Sequence, residues 1–461
     1  MSAPFYMKPF KEKILLTNDT GHHVFLAKPE FRDFVSDRIT PDHPRYQELK
    51  DSLFFYHGSS EEYIRNAEPY LREYNSYLFE PTNLFILALT NACNNACVYC
   101  QANGNSCPSR MTKEDIDQIL LRISETPARA ITIEFQGGEP LLCFDLIQYA
   151  VLRASDVLAD KDVSFTLVSN LILLTESMAV FFEQYHVQVS TSLDGPKILH
   201  DKNRPCTSGQ SSYDAVLRGT EILRAHHILG GAIQTTTAAS LSLARDIVDT
   251  YESLGFYQIF LRPLTRLGAA ARSWDTIGYS PQEYLQFYRE ALDEVIRLNA
   301  QGKPMSDYLL ALLLSKIIHG KSVNYMELRS PCGAAVGQLA FTPGGNVFTC
   351  DEGRMLSEMG DDAFKLGNVY DDGYDAWMNT SCCKAVCSAS LLDTLPGCCD
   401  CVYKPYCGVC PVINYALNGN ITSVAKDRCE IYKGILDILF GYLYDGAPDI
   451  QNLFLKWSEL V

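Results

Sequence analysis

Residues 84–100 read LFILALTNACNNACVYC, a stretch that joins a short apolar run directly to three cysteines. The run is typical of a buried strand. Cys93, Cys97 and Cys100 follow within eight residues, with Tyr99 just before the last. Three thiolates this close in sequence can reach one metal centre. A structural zinc site normally takes four protein ligands, whereas a four-iron cluster on three cysteines keeps one iron open. The spacing alone leaves iron, zinc and purely structural cysteines as alternatives.

Short runs of strand-forming residues recur along the next part of the chain. Amphipathic helical patterns lie between most of them. Residues 111–125, for example, place four isoleucine and leucine side chains on one face behind a predicted N-cap, Thr112. This alternation predicts a parallel sheet, and six units predict an α/β fold with a partial (β/α)6 TIM-like barrel. The predicted strands cover residues 84–90, 130–136, 164–169, 187–193, 231–237 and 257–263.

Polar and glycine-rich motifs follow the predicted strands, at the ends where barrels of this kind carry their chemistry. In Gly137-Gly138-Glu139-Pro140, two glycines would let the backbone approach a ligand closely. An ordinary turn, or a loop ordered by polar side chains, is the alternative at each motif. The other motif residues are Ser169 and Asn170 after the third strand, Ser192, Asp194, His200 and Arg204 after the fourth, Gln234 on the fifth and Arg262 on the sixth.

The chain has 17 cysteines, and they concentrate after residue 330. In a reducing cytosol such cysteines indicate metal or catalysis rather than disulfides. A pair of structural zinc sites is the alternative to iron–sulfur clusters. We expect Cys107, Cys143 and Cys206 to be small buried hydrophobic residues. The spaced C-terminal cysteines are Cys332, Cys350, Cys398, Cys401, Cys407, Cys410 and Cys429, and the spares are Cys382, Cys383, Cys387 and Cys399.

The motifs CNNACVYC and GGEP resemble those of the radical S-adenosylmethionine (SAM) superfamily, and the C-terminal cysteines resemble its SPASM domain. The resemblance implies a [4Fe-4S] cluster on Cys93, Cys97 and Cys100 whose open iron binds SAM, and two auxiliary [4Fe-4S] clusters. It also implies which residues contact SAM. These are Tyr99, Gly137, Gly138, Glu139, Pro140, Ser169, Asn170, Ser192, Gln234 and Arg262.

The same resemblance assigns the auxiliary ligands. Cys398, Cys401, Cys407 and Cys429 would hold one cluster, and Cys332, Cys350 and Cys410 the other. The family has three residues between the last two cysteines of the quartet, whereas this chain has two, Gly408 and Val409. The second cluster therefore shows three matched ligands, and either an open iron or a spare cysteine completes it.

Asp351 directly follows Cys350 and is the predicted catalytic base, as in related sulfatase-maturing enzymes. A helix-cap or loop role is the alternative interpretation of Asp351.

Length and composition suggest several domains. Over 1–80, an extended stretch, a turn at Gly21 and two helical patterns suggest a small winged-helix-like unit, or else an extension that packs on the main domain. The resemblance predicts a barrel over 81–320, a SPASM domain over 321–435 and a helical tail over 436–461. The net charge of −16 argues against nucleic acid as the main partner. The N-terminus shows no apolar signal segment, and no apolar run is long enough for a membrane span, so we expect a cytoplasmic protein without a membrane partner.

The resemblance implies an enzyme that cleaves SAM to a 5′-deoxyadenosyl radical and modifies a ribosomally made precursor peptide, by a crosslink or another C–H functionalisation. Residues 1–80 would bind the precursor, and a flavodoxin or ferredoxin would donate electrons. The N-terminal stretch and the Cys407–Pro411 variant resemble the maturases of His-Xaa-Ser peptide systems. The alternatives are a sulfatase-type formylglycine maturase and a non-catalytic, peptide-binding iron–sulfur scaffold.

Overall fold

The computed structural model describes residues 2–56, 58–102, 108–323 and 325–461. Cys107 lies outside these residues. The strands are β1 (Tyr6–Phe10), β2 (Lys13–Thr17), β3 (His23–Ala27), β4 (Leu84–Ala88), β5 (Ala130–Gln136), β6 (Asp162–Val168), β7 (Gln188–Ser192), β8 (Leu229–Thr235), β9 (Gln258–Arg262), β10 (Ser306–Asp307), β11 (Gln338–Thr342), β12 (Asn346–Phe348) and β13 (Lys365–Asn368).

Helices alternate with the strands of the central part and dominate the C-terminal part. They are α1 (Lys28–Val35), α2 (Tyr46–Asp51), α3 (Ser60–Tyr74), α4 (Lys113–Ser124), α5 (Phe144–Val157), α6 (Glu176–Gln184), α7 (Lys197–Asn203), α8 (Ser212–Ala225), α9 (Ala244–Ser253), α10 (Gly268–Arg272), α11 (Trp274–Ile277), α12 (Pro281–Ala300), α13 (Tyr308–His319), α14 (Asp351–Glu358), α15 (Tyr374–Met378), α16 (Ser381–Ala389), α17 (Pro411–Asn418), α18 (Lys426–Asp445) and α19 (Pro448–Ser458).

A parallel sheet forms the centre of the molecule. Strands β4 to β9 lie side by side in chain order, and each pairs in parallel with the next. Each of the six predicted strands is present, with its ends within two residues of the prediction. The predicted partial barrel is therefore confirmed, and the carboxyl ends of these strands meet at one edge.

Helix α4 shows why the sequence pattern succeeded. The hydroxyl of Thr112 accepts a hydrogen bond from the Asp115 amide at 3.0 Å, and the Asp115 carboxylate accepts one from the Thr112 amide at 2.7 Å. This capping box fixes the helix start. The four predicted apolar side chains are buried, so the helix packs its apolar face onto the sheet core.

The central sheet does not end with the barrel. Strand β11, which is buried along its whole length, pairs in parallel with β4, and β12 and β13 then add antiparallel strands. At the opposite edge β10 pairs in parallel with β9. The sheet thus has ten strands, and it brings the segment that carries Cys350 close to the strand that precedes Cys93.

The N-terminal residues form a small unit of their own. Strands β1 to β3 make an antiparallel sheet, and an apolar cluster that includes Leu16, Leu26 and Phe34 lies between it and the following helices. This unit contacts the cysteine-rich region directly, because the Thr17 hydroxyl donates to the Val402 carbonyl at 2.6 Å. Whether the unit is a winged helix stays a prediction.

Among the residues that the structure describes, no helix combines the length and apolarity needed to cross a bilayer.

Candidate functional site

The first cysteine motif forms the loop that leaves the carboxyl end of β4. Two other strand-end segments hold this loop through its backbone. The Ala96 and Val98 amides donate to carbonyls of Pro205 and Asn203 at 2.8 and 2.9 Å, and the Cys100 carbonyl accepts from the Ala269 amide at 2.8 Å. The loop that carries the three thiols is therefore fixed from both sides of the barrel mouth.

The three thiols lie near one another in this loop. Burial raises the pKa of Cys93 to about 12, and Cys97 and Cys100 contribute in the same direction. Burial also raises the pKa of Cys97, against the opposing effect of the Arg204 guanidinium. A metal centre that binds here must therefore displace protons from the thiols, which makes its assembly pH-dependent.

The glycines of the GGEP motif pack against the start of the cysteine loop. A Cβ on Gly137 would lie 2.2 Å from the Thr90 carbonyl oxygen, and one on Gly138 would lie 2.1 Å from that of Ala92. The Gly138 and Glu139 amides donate to these same oxygens at 2.7 and 2.9 Å. The glycines thus let two backbone segments approach each other, in addition to any approach to a ligand.

Glu139 is buried, with 1% of its surface exposed, and its carboxylate is occupied by protein donors. It accepts hydrogen bonds from the Leu141 amide, the Ser169 hydroxyl and the Asn170 amide at 2.8–2.9 Å. The Asn170 side chain in turn donates to the Asn94 side chain at 2.7 Å. Glu139 therefore joins the ends of β5 and β6 to the cysteine loop. The SAM contacts expected of Glu139, Ser169 and Asn170 stay predictions.

Tyr99 belongs to a buried polar network. Its hydroxyl lies 2.9 and 2.8 Å from the two carboxylate oxygens of Asp194 and accepts a hydrogen bond from Arg204 at 2.7 Å. Asn203 donates to Asp194 at 3.1 Å, and the Asp194 amide donates to Nδ1 of His200 at 3.2 Å. These hydrogen bonds connect the loop after β7 to the cysteine loop.

Several buried polar atoms around the cysteine loop have no hydrogen-bond partner among the described residues. Native proteins rarely leave such groups unsatisfied, so these atoms mark places where a bound polar group would fit. Gln234, whose Oε1 accepts from Thr236, still has an unpartnered Nε2 on β8. In the cysteine loop itself, the unpartnered atoms are Nδ2 of Asn94 and both polar side-chain atoms of Asn95.

A cavity of about 480 Å³ lies between the barrel and the C-terminal region. This volume is in the range of small-molecule and peptide side-chain pockets. Polar barrel residues at its wall include Glu134, Gln136, Ser190 and Arg262. The C-terminal wall contributes Cys332, Cys350, Asp351, Glu352 and Cys410. The structure thus brings three predicted metal ligands, the predicted base and one predicted SAM contact to one space.

Asp351 is the first residue of α14, and Cys350 caps that helix by accepting a hydrogen bond from the Gly353 amide at 3.3 Å. The Asp351 carboxylate accepts from Nε of Arg354 at 2.9 Å and from its Nη2. Arg354 is 2% exposed, and the sequence did not predict its role although it lies three residues after Asp351. A buried ion pair therefore orients the predicted base toward the cavity.

The second set of cysteines surrounds a separate cavity. Its lining includes Cys398, Cys401, Cys407 and Cys429 together with Lys433. Burial raises the pKa of Cys407 to about 12, and the charges of the other three cysteines add to the rise. The structure thus brings this predicted quartet together. Cys410 borders both cavities.

Within residues 2–56, 58–102, 108–323 and 325–461, no three His, Cys, Asp or Glu side chains are grouped as a single metal ion would require.

Ser192 ends β7, and Pro140 begins a short 3₁₀ turn after β5. Cys143 is buried, as expected, whereas Cys206 is half-buried.

Known proteins show related sequences. Residues 87–238 match the model of the Radical SAM superfamily. The chain is 30% identical over 198 residues to a serine-type anaerobic sulfatase-maturating enzyme of Klebsiella aerogenes, covering 42% of this chain and 49% of that enzyme. It is 24% identical over 451 residues to the radical SAM cyclopropyl synthase TigE of Paramaledivibacter caminithermalis, covering 92% and 85%. The chain spans 60% and 64% of the lengths of the first curated relatives it matches.

Solved structures show the same fold. The structure of anSMEcpe with bound AdoMet matches with a TM-score of 0.70 at 21% identity, over 82% of this chain and 98% of that one. Streptococcus suis SuiB bound to precursor peptide SuiA matches with a TM-score of 0.55 at 12% identity, over 91% and 97%.

Proposed function

We propose that this chain is a radical SAM enzyme, because residues 87–238 match the Radical SAM superfamily model, and that it modifies a ribosomally made precursor peptide in the cavity between barrel and C-terminal region. The observation that carries the proposal is the shared lining of that cavity, where Arg262 and Gln136 at strand ends face Cys350 and Asp351. Such a space fits one substrate side chain held between two reactive centres.

Cys93, Cys97 and Cys100 would hold the [4Fe-4S] cluster that binds SAM. The unpartnered polar atoms of Asn94, Asn95 and Gln234 support this fit, because a bound charged group would satisfy them. When bound, the cluster and SAM supply a 5′-deoxyadenosyl radical that abstracts a substrate hydrogen. We further propose that the two C-terminal cysteine sets hold auxiliary iron–sulfur clusters rather than structural zinc ions.

The protein residues around the cavity would orient the substrate and move a proton. Arg354 holds the Asp351 carboxylate by two hydrogen bonds, so its remaining lone pairs are available to a substrate proton. Apolar side chains of Ile86, Phe260 and Val412 line the same cavity and limit the access of water. Asp351 would therefore accept the proton that the substrate loses on oxidation.

A peptide substrate is supported by the relatives. SuiB shares the fold and was solved with its precursor peptide, and TigE matches along nearly the whole chain. The N-terminal unit would bind the precursor, since an extended peptide can add to the edge of a small antiparallel sheet such as β1–β3. The electron donor is a flavodoxin or ferredoxin in this proposal, and the His-Xaa-Ser peptide systems and the cytoplasm remain the predicted setting.

The experiment is anaerobic incubation of iron-reconstituted protein with SAM and dithionite. We expect 5′-deoxyadenosine by mass spectrometry, and a mass change in a short peptide encoded beside the gene and co-expressed with it. The matched control is Cys206→Ala, which removes a cysteine outside the predicted ligand sets. Stoichiometric zinc without 5′-deoxyadenosine would contradict the proposal.

Formylglycine formation is the second candidate. The relation to sulfatase-maturating enzymes and the Cys350-Asp351 pair favour it. An aldehyde on a Cys- or Ser-containing peptide would identify this activity, whereas an unchanged peptide mass with intact precursor binding would indicate a scaffold. Deletion of residues 1–75 should abolish precursor binding and leave SAM cleavage measurable.

A further inference from the structure

Among the described residues that line the cavity between barrel and C-terminal region, three cysteines belong to the auxiliary set. Cys332, Cys350 and Cys410 are all buried, and all three line the cavity within one apolar cluster. A [4Fe-4S] cluster has four corners, each of which binds a ligand. With three cysteines bound, one corner is left for a further group that reaches the same space.

Four carboxylates of the described part of the chain line this cavity, and protein donors hold three of them. Glu327 accepts from Arg428 and, at 2.8 Å, from Tyr432. Asp351 is held by Arg354, and Glu134 accepts from Gln136 and, at 3.2 Å, from Thr166. Each of these groups would have to give up hydrogen bonds in order to bind iron.

Glu352 is the fourth carboxylate of this cavity. Its charged neighbour is Arg262, at 4.0 Å, and its side chain is 18% exposed. It lies two residues after Cys350, in the first turn of α14, and so leaves the backbone beside a predicted ligand. Glu352 lines the same cavity as Cys332, Cys350 and Cys410, so its carboxylate shares a space with the three thiols.

We propose that the carboxylate of Glu352 is the fourth ligand of the iron–sulfur cluster held by Cys332, Cys350 and Cys410. This inference rests on the proposed function, since it presupposes that the cysteines bind iron. It gives the site three soft thiolates and one harder oxygen donor, in place of an all-cysteine set.

The charges around the site agree with a buried anionic cluster. Arg262 lies beside Glu352, and Arg428 pairs with Glu327. Buried negative charge needs nearby cations or hydrogen bonds, and these two guanidinium groups supply them.

Cys387 is the competing ligand. It lies on α16 and shares a side-chain hydrogen bond with Cys383. It is not part of the cavity lining. To become a ligand, Cys387 would have to leave its partner and turn into the cavity.

The test uses a C93A/C97A/C100A background, which removes the SAM-binding cluster and leaves the auxiliary ones. Glu352→Gln, Glu352→Cys, Cys387→Ala and the control Glu134→Gln are each added to it. The readouts are iron per chain, the Mössbauer spectrum, and electron paramagnetic resonance after mild oxidation. If Glu352→Gln fails to fold, Glu352→Cys still tests the inference.

We expect Glu352→Gln to lose one iron of the cluster on oxidation and to show a [3Fe-4S] signal. Glu352→Cys should keep that iron, change its Mössbauer parameters toward thiolate ligation and lower the reduction potential. Cys387→Ala and Glu134→Gln should match the background. A [3Fe-4S] signal in Cys387→Ala alone would overturn the inference. The inference would also be overturned if the Glu352 variants had the same spectra as the background protein and added cyanide altered those spectra, since the iron would then be open. Absence of iron from the background protein would instead reject the proposed function.

Discussion

The hydroxyl of Tyr99 donates to the carboxylate of Asp194, with both oxygens within 2.9 Å, although 95 positions separate the two residues in the chain. Arg204 donates to the same hydroxyl oxygen at 2.7 Å. The pair connects the cysteine loop after β4 to the loop after β7. Because Tyr99 precedes Cys100, the position of the last thiol depends on this contact.

Loss of this contact should destabilise the protein. Asp194→Ala leaves the Tyr99 hydroxyl and the Arg204 guanidinium buried without their acceptor, and we expect a loss of about 3 kcal/mol in the free energy of unfolding. Tyr99→Phe keeps the ring and should cost about 1 kcal/mol. Anaerobic thermal or urea unfolding measures both. Equal stability of Asp194→Ala and the parent protein would show that the network is not formed.

The three cysteines after β4 should control iron content separately from the C-terminal ones. Cys97→Ala should lower iron by about four atoms per chain and abolish 5′-deoxyadenosine formation. Cys407→Ala should also lower iron, yet leave SAM cleavage measurable, because its thiol faces the separate quartet cavity. Iron analysis and product quantification check both. Cys143→Ala, at a buried cysteine outside these sets, should change neither quantity.

The glycine motif should tolerate no side chain. Gly138→Ala would place a Cβ 2.1 Å from the Ala92 carbonyl oxygen, and we expect a loss of at least about 2 kcal/mol together with reduced cluster loading. Gly231→Ala is the matched control, because a Cβ there meets nothing within 4 Å. Unfolding curves and iron content distinguish the two. Similar behaviour of both variants would contradict the close approach of the two backbones.

Acid should weaken the loop after β7 through His200. Burial lowers the pKa of His200 to about 3, and its Nδ1 accepts a hydrogen bond from the Asp194 amide, which requires the neutral ring. The folded protein then binds fewer protons than the unfolded chain between about pH 6.5 and pH 3, so stability falls as pH falls through this range. In His200→Asn, where an amide oxygen replaces Nδ1, this dependence should flatten by about 3 kcal/mol between pH 6.5 and 4.

His226 supplies a control with the opposite sign. Hydrogen bonds that His226 donates to the carboxylates of Glu183 and Glu176 raise its pKa, so its contribution to stability is full below its unfolded pKa and is lost as pH rises. His226→Gln should therefore reduce stability at acid pH and converge with the parent protein at alkaline pH. Urea unfolding across pH measures both variants. A His200→Asn curve parallel to that of the parent would contradict the assignment.

Asp351 should act after hydrogen abstraction. Asp351→Asn keeps the size of the side chain and removes the base, so 5′-deoxyadenosine should still form while modified peptide falls by about 100-fold or more. Arg354→Lys keeps a charge and loses the two-point hold on Asp351, and a smaller loss is expected. Product mass spectrometry measures both. Normal peptide modification by Asp351→Asn would remove Asp351 from the mechanism.

The sequence predicted the parts of the fold that depend on local patterns. The six strands of the barrel were visible as β-rich runs, and α4 as an apolar face behind Thr112, because these signals lie within a few residues of one another. Pairing of β11 with β4 was not predicted, since a five-residue run carries no information about a partner some 250 positions away. This pairing joins the predicted barrel and the cysteine-rich region in one sheet.

As with the fold, the sequence predicted the parts of the site that depend on local patterns and not those that depend on contacts between distant residues. The cysteine sets and the GGEP motif were visible as spacings, and the structure brings the quartet together around one cavity. The partners of Glu139 and the hold of Arg354 on Asp351 were not predicted, because they depend on which side chains meet in three dimensions. In the sequence, nothing marked Glu352 beyond its place two residues after Cys350. It stands out in the structure because hydrogen bonds hold the other carboxylates of the cavity.

The pairing of β11 with β4 also decides how this chain can be divided. A cut near residue 320 would remove β11 and leave Leu84–Ala88 as an open, apolar edge, which invites aggregation with other chains. An exchange of C-terminal regions between related enzymes should therefore carry the segment from β11 to β13 with it. A barrel taken alone would need a designed polar edge strand before it could remain monomeric in solution.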